Sequence, residues 1–254
     1  MVEILENAPV LSRTDAEREL DALALRYEKA GRGGVKIVNL LGTQAENLLE
    51  RLPAPVRGGL EGATEQALTV AVGAAGRSRK VLPDQPAWVN TAMTSAMGAV
   101  GGFSGLGGTL VELPATVTLL MRAVQGVAAE HGFDPDAESV RFDCVRVFAG
   151  GGPLAHDDGS DLGFLSVRVS LTGAAMQKMI AMVAPKLGVV LGQKLAAQTV
   201  PVLGAMTGAA VNYVYTDYYQ QVAHVHFGLR RLAIDADIPP QELLDGLRLR
   251  LGKD

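Results

Sequence analysis

The sequence contains few cysteine and charged residues. It contains 1 cysteine, Cys144, so no disulfide framework within the chain is possible and a zinc site built on several thiolates is excluded. Charged residues make up only 20% of the chain and aromatic residues 5%. The net charge is −4 and no basic tract is long enough to follow a phosphate backbone. We therefore expect no nucleic-acid partner.

The start of the chain lacks the features of a secretory signal. Acidic residues appear early, and neither a basic segment nor an apolar segment of signal-peptide type is present. We therefore expect a cytoplasmic protein. With 254 residues, 48% of them hydrophobic, and a mean hydropathy of +0.20, the chain is long and apolar enough for a sizeable core.

Two segments, 85–111 and 195–216, lack charged residues over a length that could cross a bilayer. Both contain many small or hydroxylated residues and few large aliphatic ones, so their insertion would be barely favourable. We interpret them as buried helices or as surfaces for peripheral membrane contact, with a permanent span as the least favoured alternative. Three glycine pairs have the spacing that lets helices approach closely: Gly98/Gly102, Gly188/Gly192 and Gly204/Gly208.

The spacing of apolar residues predicts an all-α protein without strands or internal repeats. We expect a single compact domain over 1–254 with about nine to ten helices, and the loop at 150–163 is the place where two subdomains would divide. The predicted helices cover residues 14–30, 35–52, 56–75, 84–100, 109–131, 134–149, 164–183, 185–199, 202–232 and 237–251.

Local motifs mark several helix starts and one turn. Thr14 and Thr109 each begin a capping box, and Asp134 precedes a proline as a helix N-cap. Glycines crowd residues 98–108, and each would cost a helix interior about 1 kcal/mol relative to alanine. We therefore predict a glycine-rich central turn over 101–108, followed by a helix with Pro114 in its first turn.

Isolated polar residues on apolar helices are candidate sites. Glu112 lies between apolar neighbours and is interpreted as a helix cap or as a buried acid that faces a ligand. Arg122 is the only charged residue within 113–129, so it must pair with an acid or extend its charged end to water.

Asp217 and His224 are seven residues apart on the predicted helix over 202–232 and could face one cleft. An aspartate there could orient the imidazole for acid–base chemistry or help to hold a metal, and the alternative is a hydrogen-bond network between helices. His224 and His226 diverge on the helix and do not form a chelating pair.

No motif for a resident metal or cofactor is complete. The acidic loop that begins at Asp157 fails the EF-hand pattern, because its twelfth position is Arg168. The sequence also lacks a phosphate-binding loop and a nucleophile elbow. We predict no metal and no cofactor.

Residues 98–122, GAVGGFSGLGGTLVELPATVTLLMR, resemble the central signature of the EcsC protein family. In that family a glycine-rich stretch runs into an acidic residue, a small apolar residue and proline, and then into an apolar helix that ends in arginine. Residues 130–134, residues 201–205 followed by Asn212, and residues 227–232 are similar to later parts of the family, so the likeness covers roughly 14–235. Where such proteins commonly have a tyrosine before the glycine, this chain has His131.

The resemblance implies a link to transport or secretion at a membrane and brings no catalytic mechanism with it. It implies a shared role for the matching positions Glu112, Pro114, Arg122 and Asn212.

Two functions remain open from the sequence. The first is a non-catalytic helical protein that binds a lipid or another hydrophobic small molecule, or that associates peripherally with the inner membrane. The second is a hydrolase-type enzyme that uses Glu112, Asp217 and His224 around a water or a metal. A scaffold for a partner helix, or a homodimer formed through apolar helix faces, is a further alternative.

Overall fold

The computed structural model describes residues 11–41, 48–81, 92, 109–150, 152–153, 173–198 and 204–252. These residues form seven α-helices and one short 3-10 helix, and they contain no strand, so the all-α prediction is confirmed. The elements are α1 (Arg13–Leu41), the 3-10 helix (Leu49–Arg51), α2 (Ala54–Val81), α3 (Thr109–Glu130), α4 (Glu138–Val147), α5 (Gly173–Gln198), α6 (Gly204–Asp235) and α7 (Pro240–Arg250).

Helix α6 lies at the centre and packs against α1, α3, α4, α5 and α7, while α2 packs on α3 and α5. The aromatic side chains of Tyr215, Tyr219 and Phe227 on α6 are at most 1% exposed. The ring of Tyr219 meets Phe148 edge-on, with ring centres 4.9 Å apart. Burial of each such side chain contributes about 1.5–3 kcal/mol to folding, so α6 carries much of the core.

Two predicted helix breaks are wrong, which is one reason why the described residues contain fewer helices than the nine to ten predicted for the chain. Helix α1 continues through the glycines at 31–34, because glycine weakens a helix without removing its hydrogen bonds. Helix α5 continues through Pro185. Pro185 is exposed, and so is Ala181, whose carbonyl loses its amide partner and can bind water instead.

Two predicted helix starts are also wrong. The cap of α1 is Ser12 rather than Thr14: the Ser12 hydroxyl accepts a hydrogen bond from the Asp15 amide (3.2 Å) and donates one to the Asp15 carboxylate (2.6 Å). Helix α4 begins at Glu138. Asp134 accepts a hydrogen bond from the Asp136 amide (3.0 Å) and closes a turn before that helix.

Other sequence-based boundaries agree more closely with the structure. Helix α3 begins at Thr109 and ends just before Gly132, whose φ of +78° lies in the region that favours glycine. The predicted helix over 84–100 and the glycine-rich turn over 101–108 fall outside the described residues, apart from residue 92. The single domain and its division near 150–163 stay predictions.

The contact of α5 with α2 depends on a glycine. A Cβ atom at Gly192 would lie 2.6 Å from a methyl carbon of Leu49 and 2.6 Å from one of Leu60. We expect Gly192→Ala to lower the free energy of unfolding by about 1–3 kcal/mol, because these side chains would have to move. Gly62→Ala on α2, where a Cβ would meet nothing within 4 Å, should instead stabilise the protein by up to ~1 kcal/mol. Urea unfolding measures both, and equal effects would contradict the close contact.

Candidate functional site

A groove of about 520 Å³ lies between α1 and α6, a volume typical of small-molecule sites. Ala22, Leu23 and Leu25 form its apolar part. Its polar lining comes from three elements: Glu19, Arg26 and Lys29 on α1, His131 in the turn after α3, and Asp217, Gln221 and His224 on α6.

Helix geometry explains why these side chains converge. Asp217, Gln221 and His224 are four and three residues apart, so they share one face of α6. Helix α1 approaches that face closely, since a Cβ atom at Gly228 would lie only 2.7 Å from a methyl carbon of Leu23. The turn that carries His131 is closed by two hydrogen bonds, from Gly132 N–H to the Ala129 carbonyl (2.9 Å) and from Phe133 N–H to the Ala128 carbonyl (3.0 Å).

The two histidines of the groove contact each other. His131 Nε2 lies 3.1 Å from His224 Nδ1, which is hydrogen-bond distance, and the ring planes are inclined by 66°. Glu130 lies beyond His224, with 3.7 Å between its Oε2 atom and His224 Nε2. One imidazole therefore donates the shared proton and the other accepts it.

Both imidazoles are held in the neutral form. Burial first, and then the positive charge of Arg26 and the neighbouring His131, lower the pKa of His224 to about 4. Burial, followed by the charge of Arg26, also lowers the pKa of His131. At pH 7 the pair is therefore uncharged and can share a proton.

Arg26 and Asp217 are joined through Gln221. Arg26 Nη1 donates a hydrogen bond to Gln221 Oε1 (3.2 Å), and Gln221 Nε2 donates one to Asp217 Oδ1 (3.1 Å). The amide thus accepts from the guanidinium and donates to the carboxylate. Asp217 and His224 line the same groove, but Asp217 is hydrogen-bonded to Gln221 and His224 to His131.

A second polar cluster joins α4 to α6. Asp143 forms ion pairs with Arg146 (3.3 Å) and Arg230 (2.6 Å), and His226 Nε2 lies 3.4 Å from the same carboxylate. Burial alone would raise the pKa of Asp143, but the hydrogen bond and charge of His226 and the two arginines outweigh it and lower the pKa. The guanidinium of Arg230 also lies 4.6 Å from the ring centre of Phe133. We interpret this cluster as structural.

Further polar side chains are buried deep in the bundle. Arg122 and Gln125 on α3, Lys194 on α5, and Asn212 and Thr216 on α6 are each at most 6% exposed. Lys194, Asn212 and Thr216 line a cavity of about 10 Å³, which has room for one water molecule at most.

The exposed side of α5 is a separate candidate surface, which we call the α5 face. It consists of exposed residues that recur every three or four positions and therefore lie on one side of the helix: Gln177, Lys178, Ala181, Met182, Pro185, Lys186 and Val189. Met182 is 59% exposed and Val189 47%. Helix α5 contains three lysines and no acidic residue, and two of these lysines belong to the α5 face.

Length and composition set α5 apart among the described helices. Its segment Ala174–Ala196, whose most apolar part has a mean hydropathy of 1.4, is the one stretch of the described residues that is long and apolar enough to cross a membrane. Half of that segment is buried inside the protein, and the core helix of a soluble protein has the same composition.

The sequence model of the EcsC protein family matches residues 78–232, which is more than half of the chain. The chain belongs to the EcsC protein family. No curated protein and no solved structure was found to match it.

The EcsC segment contains all six residues predicted as sites, but the structure does not bring them all together. Asp217 and His224 line the groove, whereas Arg122 and Asn212 are buried and do not line it. Pro114 is half-buried in the first turns of α3, where its carbonyl accepts a hydrogen bond from the Thr118 hydroxyl (2.6 Å). The side chain of Glu112 lies outside the described part of the structure.

Three groove residues, Arg26, His131 and Gln221, are not among the sites predicted from the sequence. The sequence does indicate that Gln221 lies beside Asp217, because it follows Asp217 by one helical turn. Arg26 belongs to a helix that meets α6 only in the folded chain, so no local pattern reveals it. In the sequence, His131 stands out only as a departure from the EcsC pattern.

Proposed function

We propose that this EcsC protein is a non-catalytic cytoplasmic protein that binds reversibly to an anionic membrane surface, such as the inner membrane, through the α5 face. The observation that carries this proposal is the combination of exposed apolar side chains with lysines on a helix that has no acid. The chain as a whole has a charge of −4, so the basic character of α5 is local. A helix of this kind suits the interface of an anionic bilayer.

The expected affinity is modest. Burial of the exposed parts of Met182 and Val189 would contribute about 2 kcal/mol together. Lys178 and Lys186 would add about 1 kcal/mol each near an anionic surface. A sum of about 4 kcal/mol corresponds to roughly millimolar binding, which suits a reversible contact and not a permanent anchor.

Met182→Asp should reduce the fraction of protein that floats with anionic vesicles by about fivefold or more, because it places a negative charge on the apolar strip of the α5 face. The measurement is flotation with vesicles of phosphatidylcholine alone and of phosphatidylcholine with phosphatidylglycerol. Ile234→Asp on α6 is the matched control, since Ile234 has the same 59% exposure as Met182 and lies elsewhere. Added salt should weaken the binding of the unaltered protein.

Two results would contradict membrane binding by α5. One is equal flotation of the Met182→Asp and Ile234→Asp variants. The other is a sedimentation measurement in which the unaltered protein is a dimer and Met182→Asp a monomer, because the α5 face would then be an interface between two copies.

A hydrolase-type enzyme is the second candidate. It is supported by the presence of Asp217 and His224 in one groove of suitable size. The low pKa of His224, about 4 and caused first by burial, makes it a weak base at pH 7 and speaks for the non-catalytic proposal. Hydrolysis of nitrophenyl esters and phosphates by the unaltered protein and by His224→Gln decides between the two.

A further inference from the structure

We infer that the groove between α1 and α6 binds the carboxylate or phosphate group of a small organic anion at Arg26. This site is separate from the α5 face, so the inference does not depend on membrane binding. Three features carry it: a guanidinium with spare donors, a pair of imidazoles in the same groove, and an apolar wall.

Arg26 is a half-buried cation whose protein partner is neutral. Its Nη1 atom donates to the amide oxygen of Gln221, and within the described part of the chain no carboxylate lies at ion-pair distance from it. Asp217 is bonded to the other end of the Gln221 amide. A guanidinium has five N–H donors in a planar fork that matches an oxyanion, so Arg26 has donors left for a ligand.

The histidine pair adds a further donor to the same groove. One N–H is used between His131 and His224, which are 3.1 Å apart. Each neutral imidazole carries one N–H, so one N–H of the pair remains. It is on His131 Nδ1 when His224 donates the shared proton, and on His224 Nε2, 3.7 Å from Glu130 Oε2, when His131 donates it. Arg26, His131 and His224 line the same groove, and the charge of Arg26 lowers the pKa of both histidines after the larger effect of burial.

A metal ion fits the groove less well than an anion. Two neutral imidazoles are good ligands for a transition metal. However, Arg26 would repel a cation at this position. No group of three or more histidine, cysteine or acidic residues suitable for a metal occurs among the described residues.

The apolar wall indicates that the anion is organic. Ala22, Leu23 and Leu25 line the groove, and Leu25 is 48% exposed. An alkyl group attached to the bound carboxylate or phosphate would cover this surface. We therefore expect hexanoate to bind about tenfold more tightly than acetate, since each methylene placed against an apolar wall adds to the affinity.

The charges around the pair set the expected effect of pH. They are Glu19, Arg26 and Lys29 on α1, Glu130 at the end of α3, and Asp217 on α6. A bound anion offsets the positive charge of Arg26 and so favours a proton on the imidazoles. Hexanoate, whose carboxyl group is ionised at both values, should therefore bind more tightly at pH 6 than at pH 8.

The test is an NMR titration of the full chain that follows the imidazole resonances of His131 and His224. The probes are acetate, hexanoate, hexyl phosphate and, separately, Zn²⁺ alone. Arg26→Gln should weaken the binding of hexanoate or hexyl phosphate at least about tenfold, because it removes the charged fork. Arg26→Lys keeps the charge without the fork and should weaken it less. Arg18→Gln, which removes an exposed cation from the same helix, should bind like the unaltered protein.

Saturable shifts with hexanoate or hexyl phosphate that need Arg26 would support the inference. It would be overturned if neither anion shifts the resonances, if Arg26→Gln, still folded by circular dichroism, binds as tightly as Arg18→Gln, or if Zn²⁺ shifts them and the anions do not. Flotation of Arg26→Gln with anionic vesicles separates the two sites, because loss of the groove should leave binding by the α5 face unchanged.

Discussion

Replacing Asp143 by alanine should lower the free energy of unfolding by about 4 kcal/mol, which is the largest effect that we expect from a single substitution. Asp143 is 8% exposed and its carboxylate is shared by Arg146 and Arg230. Removal of one partner from a buried ion pair costs about 3–5 kcal/mol, since the remaining charge stays in a poorly solvated place. Urea unfolding followed by circular dichroism measures the change.

Asp245→Ala is the matched control for this prediction. Asp245 forms an ion pair with Arg248 at the same 3.3 Å as the pair of Asp143 with Arg146, but its side chain is 56% exposed. Exposed pairs contribute about 0–1 kcal/mol, so this variant should be almost as stable as the unaltered protein. If the two alanine variants had the same free energy of unfolding, burial of the Asp143 cluster would not contribute to stability as described.

Acidification from pH 7 to pH 4 should destabilise the protein through His224 by about 2 kcal/mol. The pKa of His224 is about 4 in the folded protein, lowered first by burial, against about 6.5 in the unfolded chain. Between these values the unfolded state binds more protons, so the contribution is complete above pH 6.5 and is lost as the pH falls toward 4. The whole shift corresponds to about 3 kcal/mol, which partial exposure reduces to about 2.

His224→Gln isolates this contribution from that of the carboxylates, which also titrate in acid. Free energies of unfolding measured from pH 7 to pH 4 should fall less steeply for the variant than for the unaltered protein. Replacing His131 by glutamine should also make the free energy of unfolding fall less steeply, because the pKa of His131 is likewise lowered by burial and then by Arg26. Parallel pH curves for His224→Gln and the unaltered protein would show that His224 is not buried in the neutral form.

The sequence predicted helices well where a local signal dominates. The range of α3, Thr109–Glu130, agrees with the predicted helix over 109–131, and its end before Gly132 follows from a glycine with positive φ. The breaks expected at the glycines of α1 and at Pro185 were wrong, because glycine keeps the helical hydrogen bonds at a local cost of about 1 kcal/mol each and Pro185 lies on the exposed side of α5. Whether a helix continues past such a residue depends on tertiary contacts that a short window of sequence does not contain.

The groove could be predicted only in part. Asp217 and His224 share a helix, so their common direction follows from helical spacing. Arg26 is 195 residues from its partner Gln221, and His131 is 93 residues from His224. Contacts at such separations depend on how helices pack, which the periodicity of one helix does not specify. The EcsC pattern indicates the family, but its matching residues Arg122 and Asn212 lie in the core and do not line the groove.

The helices that pack against α1 are synthesised much later than α1 itself. Its main packing surface is α6, and Arg250 on α7 pairs with Glu17 and Asp21 near its beginning, 233 and 229 residues away. While the ribosome makes the intervening helices, the apolar side of α1 has no native surface to cover it. Contacts this distant in sequence also form slowly. We therefore expect the protein to reach its folded state only after α7 has left the ribosome, with α1 dependent until then on chaperones or on temporary contacts.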